Sequence, residues 1–438
     1  MNIILLSGGS GKRLWPLSND VRSKQFIKLF KTEDGTYESM VQRVYRQIQE
    51  VDKDAMVTIA TSKTQVSAIH NQIGCQVGVC VEPCRRDTFP AIVLATAYLH
   101  DVMGISEDEA VVVCPVDPYV EEDYFYAVKN LGDLAQNGNA NLILMGMEPT
   151  YPSEKYGYII PNDKGKVSKV KGFKEKPSEE VAKQYIAQGA LWNGGVFAYR
   201  LSYVLNKAES LLGSKDYQTL LQNYENLNKI SFDYAVVEHE NDIRVMRFNG
   251  QWKDLGTWNT LTEAMEERNV GAAMFNETCE NVHVLNELDV PVLCMGLKNI
   301  VVSASQEGIL VSDKNQSSYI KPFVDKLDQK IMFAEKSWGN YRVLDVNEDS
   351  MTIKVSLKQR SKMNYHSHQY RDEVWTVISG KGIAVINGKK TEISPGDVVK
   401  MPAGCKHMVE AITALEMIEV QCGRDISVTD KVKFDCEV

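Results

Sequence analysis

Over residues 1–265 short apolar runs alternate with amphipathic stretches. Residues 3–6, 56–60, 111–114 and 142–146 are short, largely apolar runs of strand length, which suits strands buried on both faces. Residues 37–51, 90–102 and 124–137 are read as helices between them. This alternation predicts right-handed crossovers and a Rossmann-like α/β sheet, mixed but mostly parallel, with helices on both faces. Ligands of such sheets gather at the carboxyl ends of the strands. From about residue 269 the helical periodicity stops. Short β-branched segments at 282–285, 290–295, 299–303 and 308–312 predict a small β-rich connector, closed by a helix over 319–330. Residues 332–438 read as all-β, with strands at 341–345, 351–355, 374–379, 382–386, 398–401 and 415–421. Turn signals such as Asn387-Gly388 and Pro395-Gly396-Asp397 separate them, as in a sandwich or small barrel. The expected domains are 1–268, 269–331 and 332–438.

Composition narrows the function classes. Of the 438 residues, 44% are apolar and 24% charged, which excludes a disordered or collagen-like chain. A net charge of −9 argues against a general nucleic-acid or membrane-surface binder, so any phosphate ligand must be held by locally clustered Lys and Arg. The nine cysteines include no CxxC pair and are odd in number, which points to reduced thiols. The N-terminus has no basic leader and enters a glycine loop directly, and no apolar run approaches the roughly 18 residues of a membrane span. A soluble cytoplasmic protein is expected, with neither nucleic acid nor membrane as partner.

The first strand runs into Ser7-Gly8-Gly9-Ser10-Gly11-Lys12-Arg13-Leu14-Trp15-Pro16-Leu17. Glycines let backbone N–H groups converge on an anion, and Lys12 and Arg13 add positive charge beside them. The spacing fits neither a Walker loop, because Arg13 follows Lys12, nor a dinucleotide fingerprint, because Leu14 stands where Gly or Ala is needed. Lys24 could supply a second phosphate contact, although alone it reads as a solvated lysine. Asp117 ends an apolar strand, where a parallel sheet builds its site, with a turn-capping Asp before Pro118 as the alternative. Asp254 lies in a loop dense in Trp and Gly, and Glu82 follows a strand over 77–81. Glu175 and Lys176 form either a charged turn or an acceptor for hydroxyls beside a point charge for phosphate.

Taken together, Gly8 to Ser18, Lys24-Gln25-Phe26, Glu82 to Thr88, Gly146 to Thr150, Tyr156 to Ile159, Phe173 to Pro177, Trp192 to Phe197, Ile230 to Ala235 and Trp252 to Trp258 resemble the sugar-1-phosphate nucleotidyltransferases. The Leu14-Trp15-Pro16-Leu17-Ser18 continuation is similar to the mannose-1-phosphate guanylyltransferase branch. The resemblance implies a Mg²⁺-dependent enzyme transferring a nucleotidyl group from GTP to mannose 1-phosphate. It implies Arg13, Lys24, Asp117 and Asp254 as catalytic, the two aspartates holding Mg²⁺. Gly8, Gly9, Gly11, Lys12, Glu82 and Arg85 would then bind the nucleotide, and Tyr156, Gly157, Glu175, Lys176 and Asn193 the sugar phosphate. A homodimer is the expected assembly. The chain departs from the family pattern at Asp87, Pro118 and Gly194, where Asn, His and Ser are usual. Another nucleotide or sugar 1-phosphate therefore stays open, as does a non-catalytic sugar-phosphate binding protein.

Near the C-terminus, His366-Ser367-His368, Glu373 and Gly380, then Gly396, Pro402, Gly404 and His407, repeat the spacing of the two cupin motifs. Alternate residues on a strand share one face, so His366 and His368 can point together into a barrel. With Glu373 and His407 they make a three-nitrogen, one-oxygen set suited to Zn²⁺, Fe or Mn²⁺. The region resembles the cupin domain of type II mannose-6-phosphate isomerase. Isomerase activity is not expected, because His366-Ser367-His368 and the sequence after Asp425 depart from that enzyme's pattern.

Overall fold

The computed structural model describes residues 1–9, 12–19, 21–327, 331–424, 426 and 430–434. By contacts the chain divides into two units: Met1–Gly9 with Lys24–Glu266, and the described residues of Ser10–Ser23 with those of Glu267–Val438.

The first unit is built on a nine-stranded sheet. Its strands are β1 (Asn2–Ser7), β2 (Met56–Ser62), β3 (Gly78–Glu82), β4 (Ala110–Pro115), β6 (Leu142–Met147), β7 (Gly157–Pro161), β8 (Val167–Lys174), β9 (Leu191–Arg200) and β10 (Ile243–Phe248). They lie in the order β3-β2-β1-β4-β9-β6-β10-β8-β7. Only β8 and β9 oppose the direction of the rest, so the sheet is mixed and mostly parallel. β5 (Pro118–Val120) and β11 (Trp252–Asp254) form a separate antiparallel pair. The apolar run of β1 is continuous because both faces are covered: Ile3, Ile4 and Leu5 are wholly buried. Burial of each such side chain contributes roughly 1.5–3 kcal/mol.

The helices follow their sequence signals with shifted ends. Residues 37–39 form a short strand, and the helix Met40–Val51 starts after Ser39, which caps it in a reciprocal box with Gln42. The helix Thr88–Asp101 is buried on nearly all sides, and Asp87, at φ +68°, caps it by accepting from Thr88 N.

In the second unit, β12 (Asn269–Val270), β14 (His283–Asn286), β16 (Ile300–Ser305) and β17 (Gly308–Asp313) form one sheet, and β13 (Ala273–Phe275) pairs with β15 (Val292–Cys294). The expected helix over 319–330 is much shorter: a 3₁₀ turn at Ser317–Tyr319 and a single α-turn at Lys321–Val324. Ile320 and Val324 are buried while Tyr319, Phe323 and Leu327 stay exposed, so the packed face amounts to about one turn, and residues 328–330 lie outside the described residues.

The remainder folds as two facing antiparallel sheets, the cupin architecture. One comprises β18 (Phe333–Lys336), β19 (Gly339–Val346), β20 (Ser350–Leu357), β27 (Leu415–Gly423), β22 (Arg371–Ser379) and β25 (Val398–Met401). The other comprises β24 (Lys389–Ile393), β23 (Gly382–Ile386), β26 (His407–Ala411), β21 (His366–Ser367) and β28 (Val432–Lys433). Trp375, Val409, Leu415 and Met417 fill the space between them. Among the described residues no helix is long and apolar enough to cross a membrane.

Candidate active site and metal cluster

The carboxyl ends of β1 and β4 lie side by side, with Leu6 opposite Pro115. Gly8 and Gly9 follow β1 and are exposed, and Gly9 holds φ +122°, which disfavours any side chain. Lys24 starts a 3₁₀ turn whose Gln25 donates to Ser7 Oγ at 3.0 Å, tying the turn to the end of β1. Asp117 follows β4 and leads into β5, whose pairing with β11 sets Asp254 opposite Pro118. Two acids remote in sequence thus converge on one amine: Lys24 Nζ lies 2.8 Å from Asp117 Oδ2 and 3.7 Å from Asp254 Oδ1. Half-exposed carboxylates are the donors Mg²⁺ takes, so the residues fit that ion. Gly11 lies outside the described residues. Lys12 and the exposed Arg13 belong to the segment that clusters with the second unit, where Lys12 Nζ pairs with Asp325 at 3.1 Å.

A second group lies around β7, β8 and β9. A Cβ on Gly157 would meet Glu175 Oε2 at 2.5 Å, so only glycine lets that carboxylate rest against β7. Lys176, at φ +44°, pairs with Glu175 at 2.6 Å. Burial opposes its charge, but Glu175 outweighs burial and raises it above the ordinary lysine value. Asn193 Nδ2 donates to Asp233 Oδ1 at 2.6 Å. Burial, then the charge of Glu175, pushes Asp233 up to about 6. Asp233 was legible only as one letter of a matching segment, because the apolar stretch around it gives no spacing signal. Tyr156 packs on Trp192 and Trp252 at 5.0 and 5.3 Å, and burial, with the charges of Asp254 and Asp117, raises its phenol. At Gly194, where the family usually has Ser, a Cβ would lie 2.7 Å from Met147 Cε.

Glu82 ends β3, and its Oε2 accepts from Tyr224 OH at 2.7 Å, a partner the sequence did not reveal. Burial raises its pKa, against the nearby charge of Arg85. Arg85 itself is exposed, and Arg86 donates to the Glu225 carbonyl.

In the second unit His366, His368, Glu373 and His407 are buried, with ligand atoms all within 4.8 Å of one another. β21 and β26 pair so that His366 stands opposite His407. Each imidazole presents Nδ1 to a main-chain carbonyl: Asn364 at 2.7 Å for His366, Cys405 at 3.0 Å for His407, and Asp430 for His368. A carbonyl can only accept, so Nδ1 carries the proton and Nε2 turns its lone pair inward. Burial drives His366 down to about 3 and lowers His368 as well, so in both it opposes the charged ring. Burial would raise Glu373, but His407, His368 and Arg371 hold it below the usual carboxylate range. His407 Nε2 stands 3.0 Å from Glu373 Oε2, yet makes no hydrogen bond and is buried. Three clustered ring nitrogens, a carboxylate held below its usual range and the orphaned Nε2 of His407 fit a divalent metal. Arg371, which sequence reasoning left out of the cluster, donates to Glu373 Oε1 at 3.0 Å and lies 3.0 Å from His368 Nε2.

Residues 2–269 match the family model described as nucleotidyl transferase, and residues 324–436 match that of the mannose-6-phosphate isomerase C-terminal region. The chain is 27% identical to a mannose-1-phosphate guanylyltransferase of Salmonella montevideo, over 98% of both chains. It is 27% identical to a protein of the same name from Escherichia coli, over 98% of this chain and 97% of that one. Among solved structures it is similar to a mannose-1-phosphate geranyltransferase of Thermus thermophilus, with TM-score 0.61, 26% identity, and coverage of 75% of this chain and 98% of that one.

Proposed function

The chain belongs to the nucleotidyl transferase family, and from that premise we propose that it joins GTP and mannose 1-phosphate into GDP-mannose and pyrophosphate. The observation that carries the reading is the convergence of Asp117 and Asp254 on Lys24 beside the glycines that follow β1. In-line attack of the sugar phosphate on the α-phosphorus needs no covalent protein intermediate, so catalysis is positioning and charge neutralisation. Asp117 and Asp254 would hold Mg²⁺, which when bound offsets the charge of the triphosphate. Lys24 and Arg13 stabilise the leaving pyrophosphate, while Gly8, Gly9, Gly11 and Lys12 cradle the phosphates. Lys176 takes the phosphate of the sugar, and Glu175, Asn193 and Tyr156 accept and orient its hydroxyls over Gly157. Glu82, with Arg85 beside it, selects guanine. Pyrophosphate release with four nucleoside triphosphates crossed with several sugar 1-phosphates tests the reading. A clear preference for a pair other than GTP and mannose 1-phosphate would move the chain to a sister specificity, and no release with any pair would reject it.

For the second unit the proposal is a divalent metal on His366, His368, Glu373 and His407, Zn²⁺, Fe or Mn²⁺, without isomerisation. The guanidinium of Arg371 against the ligand atoms supports a site that is held closed rather than open to a sugar. Conversion of fructose 6-phosphate to mannose 6-phosphate by the purified protein would overturn this. The same reading takes the enzyme to act in the cytoplasm as a homodimer, which light scattering of the native protein tests.

A further inference from the structure

Between Gly9 and Lys24 the chain runs through a strap whose described residues, 12–19 and 21–23, pack with the second unit. Leu14 and Leu17 are buried. The polar anchors are more specific. Ser305 Oγ donates to the Pro16 carbonyl at 2.8 Å. Asn19 Nδ2 donates to Glu307 Oε1 at 2.9 Å, while Asn19 Oδ1 accepts from Val21 N and Arg22 N at 2.8 and 2.7 Å. Arg22 forms a two-bond fork with Glu287, at 2.7 and 2.8 Å, and lies 5.0 Å from the centre of the Phe333 ring. Where the strap crosses the start of β17, Gly308 holds φ +150°, and a Cβ there would meet Trp15 Cζ2 at 2.5 Å.

Apolar packing alone would keep the strap folded. Directional bonds at Pro16, Asn19 and Arg22 do something further, because they fix the backbone path and not only its burial. Two of the proposed triphosphate contacts, Lys12 and Arg13, sit on this strap, and a third, Lys24, follows two residues after Arg22. We infer that the β-rich connector is a clamp that positions the phosphate-binding strap, with Glu287–Arg22 and Glu307–Asn19 as positioning pairs for the nucleoside triphosphate. The inference rests on the proposed nucleotidyl transfer for its functional half. The clamp raises affinity for the triphosphate by pre-organising the strap, and leaves the sugar-phosphate residues around β7 to β9 unaffected.

Three forms of the full-length protein test it: wild type, Glu287→Gln, and the charge-swapped pair Arg22→Glu with Glu287→Arg. Glu287 is a partly exposed rim residue, so the single variant should keep the wild-type melting temperature. Hydrogen exchange of the segment 12–23 should speed up in Glu287→Gln and recover in the swapped pair. The KM for GTP should rise roughly two- to fivefold in Glu287→Gln, the range that a partly exposed ion pair supports. The KM for mannose 1-phosphate should stay unchanged, and the swapped pair should regain most of the loss. Unchanged exchange in Glu287→Gln, or equal rises in both KM values, overturns the clamp. If the wild type releases no pyrophosphate from GTP, the proposed activity and the positioning role fall together, and the exchange arm still shows whether the clamp itself exists.

Discussion

Replacing either aspartate that faces Lys24 separates stability from catalysis by magnitude. The ammonium lies 2.8 Å from Asp117 and 3.7 Å from Asp254. At an effective dielectric of about 20, such contacts correspond to roughly 4–6 kcal/mol of Coulomb attraction. Both carboxylates keep more than a third of their surface in water, 38% and 39%, so the net contribution of each pair to folding falls to about 0–1 kcal/mol. Loss of one acid also relieves repulsion between the two, and the other remains to pair with Lys24. Asp117→Asn and Asp254→Asn should therefore shift stability by less than about 1 kcal/mol. Turnover should behave differently. A cation site that loses one of two carboxylates should lose roughly two orders of magnitude in kcat, or about 2.7 kcal/mol of barrier. The Mg²⁺ concentration for half-maximal rate should rise in both variants. The assay is continuous pyrophosphate release at saturating GTP and mannose 1-phosphate across a Mg²⁺ titration, with urea unfolding in parallel. Near-normal kcat in either variant at saturating Mg²⁺ would refute the metal-site reasoning, and a collapse of stability in step with activity would make the pair structural.

Glu82→Gln should erode the preference for GTP over ATP by roughly 1–3 kcal/mol, through lost paired hydrogen bonds, and competition kinetics with the two nucleotides read this directly. Asp233 has its folded-state pKa raised to about 6, so its contribution to stability is full below the unfolded value near 3.9 and is lost as pH rises through about 6. Asp233→Asn should thus melt higher than wild type near pH 8, by an amount worth roughly 1–3 kcal/mol, and not near pH 4; a difference of opposite sign in calorimetry would contradict this. The native protein should carry one equivalent of a divalent metal by elemental analysis, lost in His407→Ala, and chelation should lower the melting temperature of wild type but not of that variant.

The sequence made the alternating elements of the first unit legible because apolar runs of strand length there alternate with longer amphipathic stretches. The cupin histidines were legible because their ligand spacing is local: His366, His368 and Glu373 fall within eight residues of one another. Partners that come from remote segments were not. Tyr224 on Glu82, Asp430 on His368 and Glu287 on Arg22 each join positions whose proximity depends on sheet order, which no local pattern encodes. The helix over 319–330 failed for the reverse reason. Its apolar spacing is genuine, but only Ile320 and Val324 are packed, enough for one turn, while Tyr319, Phe323 and Leu327 stay exposed.

All three imidazoles of the C-terminal cluster are held by carbonyls of the main chain, at Asn364, Cys405 and Asp430. A main-chain oxygen is present whatever side chain occupies its position. The orientation and tautomer of each ring are therefore inherited from the path of the backbone, and single substitutions at those three positions leave the acceptors in place. The cluster can drift only by replacing a ring outright or by moving a strand, which makes its chemistry more durable than that of the aspartate pair, where one side-chain change is enough. His368 is the least secure member of that arrangement. Its acceptor lies at residue 430, so trimming the chain ahead of that position would remove that acceptor together with β28, which pairs with His366, while the carbonyls at Asn364 and Cys405 remain.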